Sequence, residues 1–60
     1  MLELLNISDV AKRLKVSETT IRRLIASGKL RSFRVGDLIR IREQDLIEYV
    51  EQQLHGGKTA

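Results

Sequence analysis

The sequence predicts a mainly α-helical domain with one small β-hairpin, its elements in the order α-α-β-β-α. Three observations predict it. Apolar residues recur at helical spacing around Val10, Ile21 and Leu46. Between the second and third of these, "LRSFRVGDLIRIR" alternates apolar and polar residues with a period of two. Gly28 and the pair Gly36-Asp37 stand where the period changes.

The first helix is expected to start at Ser8, whose hydroxyl suits an N-cap, with Asp9 next to favour the positive helix end. Val10, Ala11 and Leu14 follow at helical spacing, which predicts a helix over 9–14, ending at Leu14 or Lys15. Ile7 precedes the cap, where an apolar residue can staple the chain onto the helix. Ser17 reads as a second N-cap, and Ile21, Leu24 and Ile25 form the apolar stripe of a second helix. Gly28 ends that helix by supplying a left-handed residue. Two short helices joined by about three residues form a helix-turn-helix.

The alternating stretch predicts strands over 30–35 and 38–41 around a tight turn at Gly36-Asp37. Phe33, Val35, Ile39 and Ile41 are expected to face the helices, with Arg34 and Arg40 facing outward. Alternation turns Leu38 away from the core, for a partner contact or to cap the hairpin. "EQDLIEYVEQQL" returns to helical period with a stripe of Leu46, Ile47, Val50 and Leu54, and Glu43 and Asp45 suit its first turn. The tail "HGGKTA" has no apolar anchor. The organisation expected is one domain over 1–54 and a flexible tail over 55–60.

Composition narrows the classes of function. A chain of 60 residues buries only about 60% of its unfolded surface, so its core is small. It has no cysteine, hence no disulfide framework and no thiolate metal site. The N-terminus lacks the basic start and apolar run of a signal peptide. Nothing approaches the roughly 20 apolar residues of a membrane span, so a cytoplasmic, nucleoid-associated protein is expected. Net charge is +3, but residues 12–42 hold ten of the eleven Lys and Arg against two acids. That basic middle between acidic ends is the footprint of a polyanion partner, or else a solvated basic surface.

The helix-turn-helix reading can be tested position by position. A DNA-binding version needs a small residue in the first helix, an apolar residue in the turn and two apolar anchors on the second helix. Ala11, Val16, Ile21 and Leu24 fill those places. Lys15 stands where such motifs often carry glycine, and a non-glycine residue with positive φ costs of order 1 kcal/mol. At about 100° per residue, Ile21, Leu24 and Ile25 cluster on one side of the second helix. Thr19, Arg23 and Ala26 fall opposite, with Arg22 on one flank and Ser17 and Thr20 at the N-terminal turn. That is the face a recognition helix turns into the major groove. Arginine there forks onto guanine or grips phosphate. The competing use of Arg22 is an intrahelical pair with Glu18, worth about 0.3–0.5 kcal/mol. The hairpin would be a wing, with Arg34 and Arg40 following phosphates or entering a minor groove, or serving only as strand-surface charges. Asp37 at the tip argues against deep insertion.

From "ISDVAKRLKVSETTIRRLIASGKLRSFRVGDLIRIREQDLIEYV" the chain resembles the small winged helix-turn-helix domains of the excisionase family, related to MerR-type DNA-binding domains. The resemblance covers roughly residues 5–52, and its most specific parts are "VS.TTIRRLI.SGKL", then "RVG", then "RI" running into "DLIEYV". It implies recognition by Ser17, Thr19, Thr20, Arg22 and Arg23 and wing contact by Arg34 and Arg40. Members include recombination directionality factors of phages and mobile elements, which bind and bend double-stranded DNA beside an integrase. Other members are transcriptional regulators. Lys15 and Asp37 depart from the usual pattern. MerR-type proteins add a long dimerisation helix, which the last helix here is too short to supply. A monomer in solution is therefore expected, with an integrase or neighbouring copies on DNA as further partners.

An enzyme is not expected. The lone histidine, His55, lies in the tail, away from any catalytic or metal constellation. No cofactor and no metal are expected. RNA binding is disfavoured by the scarcity of aromatic residues for base stacking, one Phe and one Tyr. The rival from another class is a module whose basic middle binds an acidic protein surface. Sequence discrimination on duplex DNA separates the two.

Overall fold

A computed structural model describes residues 3–56. Its elements are β1 (Leu4–Leu5), α1 (Ile7–Leu14), α2 (Glu18–Ala26), β2 (Phe33–Val35), β3 (Leu38–Arg42) and α3 (Glu43–Gly56). Three helices and the hairpin are where the sequence places them, except that β2 begins at Phe33 and not at residue 30. The additional element is β1. It makes the order β-α-α-β-β-α and turns the hairpin into a three-stranded antiparallel sheet, β1-β3-β2. Leu4 pairs with Arg42 and Leu5 with Ile41, and the Glu43 amide donates to the Glu3 carbonyl at 3.1 Å. Two residues carry no readable period, so only pairing to β3 defines this strand. At its C-terminal end, α3 runs through His55 and Gly56, two positions into the expected tail, and residues 57–60 lie outside the described residues.

The N-cap of α1 is Asn6, not Ser8. The Asp9 amide donates to Asn6 Oδ1 at 2.7 Å, and the Asn6 amide donates to Asp9 Oδ2 at 3.2 Å. Asparagine caps as well as serine does, and Asn6 has a carboxylate three residues on to return the bond. Ile7 is therefore the first helical residue rather than a staple before the cap. The helix ends on Lys15 at φ 58°, the left-handed turn residue the sequence anticipates. The Val16 amide donates to the Ala11 carbonyl at 3.0 Å and the Lys15 amide to that of Lys12 at 3.3 Å.

Helix α2 repeats the design with better materials. Ser17 is its N-cap, accepting from the Thr20 amide at 3.2 Å. Gly28, at φ 81°, ends it. The Lys29 amide donates to the Leu24 carbonyl and the Gly28 amide to that of Ile25, both at 3.0 Å. These are the two bonds of a Schellman motif, the same pair that closes α1.

Buried side chains come from every element except β2 and from the segment after α2: Leu5, Val10, Ala11, Ile21, Leu30, Ile41 and Leu46. Ala11 is the small residue that lets α2 pack closely on α1. On α3 the inward stripe is Leu46, Tyr49 and Val50, whereas Ile47 and Leu54 are more than half exposed. The sequence reading placed those two in one apolar stripe with Leu46 and Val50. Ile47 lies on the flank of α3 away from the core, whereas Leu54 projects from its last turn onto an open groove that Leu14, Val16 and Leu24 also line.

The hairpin departs from expectation in one consequential way. Its register pairs Val35 with Leu38, Arg34 with Ile39 and Phe33 with Arg40. Paired residues share a face of the sheet. Ile39 and Ile41 face the core, so Phe33 and Val35 face away, 38% and 51% exposed. A two-residue turn reverses parity between the strands, so the apolar positions of β2 and β3 cannot all point inward.

Candidate nucleic-acid interface

The capped turn between α1 and α2 sets the direction of α2, and Ile21, fully buried, anchors it with Leu24 and Ile25 packed alongside. The opposite surface, Thr19, Arg23 and Ala26, is exposed, as are Arg22 and Glu18 along one flank. Arg22 Nη2 lies 3.7 Å from Glu18 Oε1, with the two side chains 61% and 48% exposed. At that length and exposure the pair holds the guanidinium only loosely. Arg23 takes part in none of the ion pairs among the described residues.

Ser17 and Thr20 have a structural task in addition to their place near this face. Ser17 Oγ accepts from the Thr20 amide and shares a 3.0 Å bond with Thr20 Oγ1, and Thr20 is half-buried. Each hydroxyl thus partners the other at the helix start.

The wing arginines do not form one patch. The register places Arg34 on the face of Ile39, and Arg40 on the face of Phe33. This corrects the expectation that both stand on the same outward surface. Parity is again the reason, because both residue numbers are even and the turn pairs odd with even. Arg34 is exposed, whereas Arg40 is half-buried and its Nη1 donates to the Ile39 carbonyl at 2.8 Å. Leu38 is 55% exposed beside the turn, and Gly36 supplies the positive φ of 63° that the turn requires.

Two basic residues of the middle segment are engaged elsewhere. Arg13 Nη1 pairs with Glu43 at 3.1 Å. Arg42 forks onto Asp45, which is buried. The hydrogen bond from Arg42 holds the Asp45 carboxyl below the usual carboxylate range, against the opposing effect of burial. In turn Asp45 keeps the guanidinium still more firmly protonated. The sequence reading saw Asp45 only as a first-turn acid. Its signal was the i, i+3 spacing to Arg42, but burial was not visible. Among the described residues no group of three or more His, Cys, Asp or Glu is placed to hold a metal ion, and no helix is long and apolar enough to cross a membrane.

Two short helices closed on a tight turn, arginines on the outer face of the second, and a β-hairpin beside them define a helix-turn-helix module of the DNA-binding class. The chain belongs to the helix-turn-helix domain family, which it matches over residues 4–54. It is also similar to the transcriptional repressor DcmR of Methylorubrum extorquens, at 48% identity over 50 residues. That match covers 80% of this chain and 19% of the repressor, so the chain spans less than a fifth of the relative's length. No solved structure matches the chain.

Proposed function

We propose that this protein binds double-stranded DNA sequence-specifically through the outer face of α2 and acts as a small, non-catalytic transcriptional regulator. The observation that carries this reading is the exposed arginine pair, with Arg23 opposite the buried Ile21 and Arg22 on the flank. Residues so placed enter a major groove in a helix-turn-helix complex. Thr19, Arg22 and Arg23 contact bases and phosphates, and Ser17 and Thr20 present the helix N-terminus to the backbone. On the wing, the exposed Arg34 contacts the flanking duplex, and Arg40, on the other face of the sheet, contributes less.

The regulatory role is favoured over the excisionase role by the repressor relative. An excisionase-like factor, bending DNA beside an integrase, would use the same surface and is the second reading, supported by the motif resemblance. Selection of bound duplexes from a random library, at two salt concentrations, tests the shared claim. An enriched motif with affinity falling steeply as salt rises supports it. Binding to an acidic protein with no duplex preference refutes it. The position of the motif then separates the roles: at a promoter, with reduced transcription in vitro, or beside a recombination site, with stimulated excision by an integrase.

A further inference from the structure

We infer that the centre of the exposed α2 face, Thr19 and Ala26, reads thymine through its 5-methyl group. The inference rests on the proposed function and names the chemistry of that same surface. Thr19 and Ala26 are seven residues apart on one helix, so they lie within about 20° of each other around its axis. Both are exposed, and the long side chains of Arg22 and Arg23 stand to either side of them. The face is therefore a shallow trough, with methyl groups along its floor and guanidinium groups at its rims.

A helix seated in a major groove meets base edges along its centre line and phosphates at its flanks. Arginine rims suit guanine O6 and N7 or phosphate oxygens. The floor offers the Thr19 and Ala26 methyls and one hydroxyl. Among the four ordinary bases only thymine projects an apolar group into the major groove, and small apolar side chains are its partners. The two methyls are about 10 Å apart along the helix axis, too far to meet the same base. Surface filling would be served equally by lysine or glutamate at these places. Such side chains would hold the helix away from the groove floor, whereas the short pair admits the thymine methyls.

The test uses the duplex enriched by selection, with each thymine replaced one at a time by deoxyuridine, which lacks only the methyl. At one or more positions binding should weaken about four-fold, the effect of one buried methyl-sized group. That loss should disappear at the same position with Thr19→Ser, which keeps the hydroxyl, or with Ala26→Gly. Melting curves establish that both variants remain folded. The inference is overturned if every deoxyuridine duplex binds like its parent, or if the loss persists undiminished in both variants. Failure of the proposed function is distinguishable, because then no duplex motif is enriched at all.

Discussion

Arg42 clasps Asp45 with two hydrogen bonds, Nε to Oδ2 at 2.9 Å and Nη2 to Oδ1 at 2.8 Å, across the junction where β3 passes directly into α3. The carboxylate is buried and the guanidinium partly exposed. This geometry fixes the angle at which α3 leaves the central strand. It also makes stability depend on pH in a defined direction. The Asp45 pKa is lowered in the folded state, so its contribution is complete above the unfolded carboxylate value of about 3.9. It is lost as pH falls through the lower folded value. Asp45→Asn should lower Tm by several degrees at pH 7. The gap from wild type should narrow as pH falls below about 4, where the unfolded chain's carboxylate begins to take up a proton while the native one is still ionised. Thermal unfolding followed by circular dichroism across pH 2.5 to 7, a range set by about the carboxylate values, reads both. An equal gap at all pH values would refute the assignment.

Lys15 and Gly28 do the same job at the ends of α1 and α2, with φ of 58° and 81°. Lysine bears a strain that glycine does not. Lys15→Gly should stabilise the domain by about 0.5–1 kcal/mol, the left-handed penalty less the added chain entropy. In a domain of this size that raises Tm by roughly 2–8 °C. Gly28→Ala should do the reverse, although open space surrounds the position.

Asn6 and Ser8 compete in the sequence for the start of α1, and the bonds favour Asn6. Asn6→Ala should cost about 1 kcal/mol, whereas Ser8→Ala should change stability by less than about 0.5 kcal/mol. Chemical denaturation of the two variants measures the difference. Equal losses would contradict the cap assignment.

Arg23→Ala should weaken binding to the selected duplex by about 1–3 kcal/mol and relax preference at one base position. On the wing, Arg34 and Arg40 should prove inequivalent, because they lie on opposite faces and only Arg40 is held by a carbonyl. Arg34→Ala should reduce the slope of log affinity against log salt by about 1, and Arg40→Ala by less. Equilibrium titrations over a salt series provide the readout. Equal slopes for the two variants would mean that the wing twists enough to present both.

Local chemistry alone determined much of this protein. The Ser17 cap, the Gly28 stop, the left-handed Lys15 and the two-residue turn at Gly36-Asp37 each depend on residues within one turn of the chain. So does the amphipathic pattern of α2, which places Ile21 inward and Arg22 and Arg23 outward. Only the tertiary structure decided the rest. Leu4 and Leu5 became a strand because β3 offered a free edge. Tyr49 rather than Ile47 packed inward because the sheet and the first two helices cover that side of α3. Phe33 and Val35 turned outward because pairing to β3 fixed the parity of β2, overriding their hydrophobicity. A period in the sequence says that an element has two sides, and which side is buried depends on what packs against it.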